Sequence, residues 1–125
     1  MEEGLTEHIR RIYIQSNFGA DSAKSLLVRD SLQYAKIANS DSDIPILSIR
    51  FPNTPDMGTI VYKRTPYLLD KFRNRIGHET WDDLIKSIYS EFNGKMFTYN
   101  DFEKMLFEKV KDDSIIADWK NAFSE

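Results

Sequence analysis

Apolar residues recur at steps of three and four along almost the whole chain, the spacing that gathers them on one face of a helix. Leu5, Ile9, Ile12 and Tyr13 form the first such stripe. It predicts a helix over about Gly4 to Asn17, stopped by Phe18-Gly19, with Gly19 free to take a left-handed cap. Asp21 or Ser22 caps the second helix, whose stripe is Leu26, Leu27, Leu32 and Ala35 and whose end falls near Asn39. From Ser40 to Asp56 the pattern is lost. That stretch carries three of the four prolines, Pro45, Pro52 and Pro55, and only Ile46 to Phe51 alternates enough for a short extended segment. A connection of this length is uncommon inside a compact domain, and is either functional or disordered.

Helical spacing resumes with Val61, Leu68, Leu69, Phe72 and Ile76, and Gly77 closes it. Pro66 falls inside this run. Proline lacks the backbone N–H and clashes with the carbonyl four residues earlier. The helix is therefore expected to start at about Thr65, with Thr65 capping, Pro66 in the first turn and Tyr62 on the loop or turn just ahead. A fourth helix over about Glu79 to Phe92 lines up Trp81, Leu84, Ile85, Ile88 and Tyr89, and Asn93-Gly94 ends it. Thr98 with Asp101 three residues on comes close to a capping box for a fifth, striped by Phe102, Met105, Leu106 and Val110. Asp113 or Ser114 opens a short last helix with Ile115, Ile116, Trp119 and Phe123 inward. The pattern as a whole predicts one all-α domain over residues 1–125, about six helices in an irregular bundle with one long loop at roughly 40–56.

Composition narrows the chemistry. The 125 residues carry 17 basic and 20 acidic side chains, a net charge of −3, which argues against a general polyanion binder, so no nucleic-acid partner is expected. With no cysteine there is no disulfide, thiolate metal site or thiol nucleophile. Two histidines, His8 and His78, are too few for a self-contained multi-histidine centre. No apolar run approaches the roughly 20 residues that span a membrane. The opening Met-Glu-Glu-Gly-Leu-Thr-Glu-His shows no basic leader or apolar stretch, which fits a cytoplasmic protein.

Four features carry candidate chemistry. Glu3 stands in a first helical turn, where a carboxylate sits well against the helix dipole, so a capping acid is its plainest role. Tyr62, between Ile60-Val61 and Lys63-Arg64, is either an ordinary half-buried tyrosine or a hydroxyl aimed into a cleft to donate to a developing oxyanion. His78-Glu79-Thr80-Trp81-Asp82 nearly spells the zinc helix His-Glu-x-x-His, but the second histidine, needed to point at the same metal, is an aspartate. Lys63, Arg64, Lys71, Arg73 and Arg75 form a basic cluster whose spacing covers several faces of one helix, as a solvated surface does, with an acidic partner as the alternative.

Glu3-Gly4-Leu5-Thr6-Glu7-His8 resembles the segment that follows the zinc-binding helix in gluzincin metallopeptidases, most of all the aminopeptidase N kind. Val61-Tyr62-Lys63-Arg64, Leu68-Leu69 and Arg73-x-Arg75-Ile76-Gly77 look like the segment of that family in which a tyrosine precedes a helix, although Thr65-Pro66 stand where the family has glycine and a small residue. Trp81, Asn93-Gly94, Thr98-x-x-Asp101-Phe102 and Asp118-Trp119 follow in the family's order. The resemblance implies that Glu3 is the third zinc ligand and that Tyr62 donates to the tetrahedral intermediate of peptide-bond hydrolysis. It also implies what the chain lacks. A catalytic zinc needs three protein ligands and a water, and the His-Glu-x-x-His helix is absent. The expectation is the C-terminal helical part of a peptidase catalytic domain. It would need the N-terminal part of that domain, zinc and a peptide substrate, and be inactive and without tight zinc alone. The alternative is a small helical protein-interaction module of the same fold, with exposed apolar surface that binds a partner or forms a homodimer.

Overall fold

The computed structural model describes residues 1–50 and 54–123. Six helices and no strand are found among them: α1 (Glu2–Phe18), α2 (Ala20–Ala35), α3 (Met57–Ile76), α4 (His78–Phe92), α5 (Tyr99–Lys109) and α6 (Asp113–Phe123). The all-α class and the order of elements follow the apolar spacing. α4 opens at His78 after Gly77, which takes φ 104°, and α5 opens on the capping box of Thr98 and Asp101. There the Thr98 hydroxyl accepts from the Asp101 N–H at 3.2 Å while Asp101 accepts from the Thr98 N–H at 2.9 Å. The Thr98 hydroxyl also donates to the Asp101 carboxylate at 2.7 Å, and this bond, followed by that from the Thr98 N–H, holds the carboxyl below its ordinary range.

Two sequence expectations are corrected. In the connection after α2, Ile46–Ser48 forms a 3₁₀ turn where an extended segment was expected, and Ile37 and Ile46 join the core. Asp43 ties this connection down, accepting from the Tyr34 hydroxyl at 2.8 Å and the Asn39 N–H at 3.1 Å and pairing with Arg64 at 3.1 Å. Phe51 and Pro52, part of the expected extended segment and loop, lie outside the described residues.

The second correction concerns α3. It does not start at Thr65. It begins as one α-helical turn at Met57–Thr59, widens to a π-helix over Ile60–Arg64 and continues as α-helix over Thr65–Ile76. The widening is a physical answer to Pro66. In an unbroken α-helix the proline ring would press on the Tyr62 carbonyl, and one extra residue per turn, the usual accommodation of such a break, relieves it. Thr65 closes the wide turn, its hydroxyl donating to the Ile60 carbonyl at 2.8 Å and its N–H to the same oxygen. Tyr62 therefore lies inside a helix, not ahead of one.

The core has two parts of different character. α3 to α6 enclose an aromatic cluster. Trp119 stacks on Phe102 at 5.5 Å between ring centroids and meets Phe72 edge-on at 5.0 Å and Phe123 at 4.4 Å. Where α1 meets α2 and α3 the buried side chains include a polar set: His8, Arg11, Asp30, Thr65 and Arg73. The stripes predicted for the first two helices are thus turned relative to the real interface. Tyr13 is 60% and Leu32 63% exposed, while Gly4, His8 and Arg11 face inward.

Candidate functional site

Three places were singled out by chemistry or geometry: the Glu3 and Tyr62 segments, an apolar groove, and the polar seam under α1.

The segments of Glu3 and Tyr62 do meet, at Gly4. Gly4 lies so close to α3 that a Cβ there would fall 2.3 Å from Thr65 Cγ2 and 3.0 Å from the Val61 carbonyl oxygen. Only the absence of a side chain allows this approach. The two candidate side chains differ in placement. Glu3 is exposed and lines the groove described next; Tyr62, 45% exposed, does not line it. Among the described residues no group of three or more histidine, cysteine or carboxylate side chains could hold a metal. His78 opens α4, its Nε2 2.7 Å from Asn74 Oδ1.

The groove runs between the first two turns of α1 and the α4–α5 corner, with a volume of about 480 Å³. Leu5 and Ile9 form one wall, Ile85, Ile88, Tyr89 and Phe92 the other, and Phe97 and Phe102 the floor. Among the described residues, Glu2 and Glu3 are its only charged side chains, and no lysine or arginine lines it. The Met1 amino group also reaches it, its pKa lowered by burial against the pull of Glu3 and Glu2.

The seam is a continuous polar network. Trp81 Nε1–H donates to His8 Nε2 at 2.8 Å. An indole N–H can only donate, so Nε2 accepts and the proton of the neutral ring sits on Nδ1, 2.9 Å from Asp70. Arg11 donates to Asp70 at 3.0 Å and to Asp30, and Lys63 and Arg29 approach Asp30 at 3.3 and 3.1 Å. Burial lowers the His8 pKa, opposed by Asp70 and assisted by Arg73 and Arg11. Sequence reasoning passed over this network. The signal was there: Gly4, His8, Arg11 and Gln15 recur at steps of four, three and four, an interface stripe written in polar residues.

The basic cluster on α3 is also redrawn. It is a solvated face only in part: Lys71 and Arg75 are exposed. Arg64 and Arg73 are buried, Arg73 grips Asp82 with two bonds of 3.0 and 3.1 Å, Lys63 pairs with Asp30, and Arg75 pairs with Asp118. Arg64 and Arg73 are thus committed to partners inside the molecule, and Lys63 and Arg75 to partners nearer its surface.

No protein-family model, curated protein or solved structure matches the chain. No helix among the described residues is long and apolar enough to cross a membrane.

Proposed function

We propose that the chain is a helical protein-interaction module whose groove between α1 and the α4–α5 corner receives an apolar, basic segment of a partner protein. The composition of the groove carries this reading: apolar walls of a size that holds the anchor side chains of a docked segment, with a rim bearing two carboxylates and no side-chain cation. An amphipathic partner with leucines on one face and lysines beside them matches both features. The test is an NMR titration with a synthetic Leu/Lys amphipathic peptide and its Leu/Glu counterpart. Saturable shifts at the groove with the Leu/Lys peptide are expected. Tyr89→Asp, on an exposed wall residue, should weaken binding by roughly tenfold or more, and Glu2→Lys with Glu3→Lys should move the preference to the Leu/Glu peptide. Shifts that do not saturate, or that fall elsewhere, overturn the proposal.

The place of Glu3 on this groove favours a second reading, the C-terminal helical part of a zinc aminopeptidase. There the missing part of the domain covers the groove, brings the histidines and completes a zinc site with Glu3, while Tyr62 serves the oxyanion. On this reading the isolated chain has no peptidase activity and no tight zinc site. Calorimetric zinc titration reads it directly: submicromolar binding abolished by Glu3→Ala would show a site complete without another lobe.

A further inference from the structure

We infer that the pocket where Arg11 of α1, Arg73 of α3 and Lys24 of α2 converge is a binding site for a small tetrahedral oxyanion, of the phosphate or sulfate kind. This site is separate from the groove and independent of either functional reading.

The pocket has a volume of about 150 Å³, room for such an ion but not for a large group attached to it. Its polar wall is almost entirely donor. A guanidinium carries five N–H groups. Arg11 directs two bonds to Asp70 and Asp30, and its Nε, inside a side chain only 3% exposed, has no partner. Arg73 directs three bonds, two to Asp82 and one to Gln15 Oε1 at 3.0 Å. The bond from that arginine fixes the Gln15 oxygen toward Arg73, and its N–H₂ supplies two further donors. Asn74 is in the same position, with its Oδ1 against His78. Lys24 adds an exposed ammonium on α2. The single carboxylate in the wall, Asp70, is already held by Arg11 and His8.

The charge balance points the same way. Arg11, Lys24, Arg29, Lys63 and Arg73 surround this seam, against Asp30, Asp70 and Asp82. Positive charge is in excess where two of the cations are buried and weakly hydrated, the condition under which a fixed array of N–H donors favours a compact anion. A metal cation would meet the opposite: one occupied carboxylate and a surplus of like charge.

The probes are inorganic phosphate and sulfate, titrated at constant ionic strength against chloride and followed by ¹⁵N NMR and thermal unfolding. Phosphate should bind saturably, shifting the side-chain signals of Arg73, Gln15 and Asn74 and raising Tm with concentration. Lys24→Glu and, separately, Asn74→Asp should each lower the affinity by roughly tenfold, as expected for losing a charge-assisted contact. Both positions are exposed, and unfolding in chloride alone checks that each variant stays folded. A response that does not saturate, that chloride reproduces, or that both folded variants leave unchanged overturns the inference.

Discussion

His8 shows how much one buried side chain can be asked to do. One ring nitrogen accepts from Trp81 and the other faces Asp70, so the neutral ring fits and the protonated ring does not. Protonation would set an N–H on Nε2 against the indole N–H. With its folded pKa lowered from 6.5, His8 takes up a proton in the unfolded chain before it does in the folded one. Stability is therefore undiminished by this residue above pH 6.5 and falls as pH drops below it, by at most about 1.4 kcal/mol per pH unit, until the folded ring itself titrates. Urea unfolding at pH 7.5, 6.5 and 5.5 measures the slope, and His8→Gln should flatten it. An equal slope in the variant would place the effect elsewhere. The same residue explains why the site was only partly legible in the sequence. Apolar periodicity finds helix faces that bury carbon, and α1 buries imidazole and guanidinium instead. Its Leu5 and Ile12 only flank the interface, and Tyr13 stands outside it.

At the scale of elements, rules that act over three or four residues read true. Thr98 and Asp101 form their capping box because both partners lie in one turn. Gly77 separates α3 from α4 because its φ of 104° suits glycine and few other residues. The entry into α3 was missed because two local rules competed. Thr65-Pro66 spells a helix start, yet the hydroxyl that could cap a first turn instead donates backward to Ile60 across the π turn. What favours the longer helix is tertiary: Ile60 is fully buried and the turn packs on α1. Gly4 is the point of closest approach, so Gly4→Ala should destabilise the fold by about 1–3 kcal/mol, the range for a forced overlap in a packed interior. Chemical denaturation measures it. Gly58→Ala, where a Cβ meets nothing within 4 Å, is the control and should change little. Equal effects at the two positions would remove the close approach as the cause.

Over the whole molecule, fold class was the most legible property and the convergence of Glu3 with Tyr62 the least. Six stripes with breakers between them suffice for an all-α chain. Whether residues 59 positions apart share a cleft depends on packing angles that no local spacing records; here their segments meet at Gly4, and Glu3 lines the groove while Tyr62 does not. Arg64 joins parts of the fold that are distant in sequence. From the π turn it pairs with Asp43 of the connection after α2, donates to the Ala122 carbonyl at 3.0 Å, and lies over the Tyr34 ring. Arg64→Met keeps much of the volume but leaves Asp43 without its cation. The expected loss is about 3 kcal/mol, as for breaking a buried pair from one side. In hydrogen exchange, the amides of α6 and of residues 37–46 should lose protection together. Independent loss at one of them alone would show that Arg64 does not link the two.

The seam beneath α1 also settles alignment. Oily surfaces tolerate sliding, since one methyl group serves much like another. A shift of α1 by one turn, about 5.4 Å, would strip Asp30 and Asp70 of Arg11 at once and leave the Trp81 indole with no acceptor. The bonds of His8 and Arg11 thus penalise a misthreaded first helix in a way that apolar contacts alone would not.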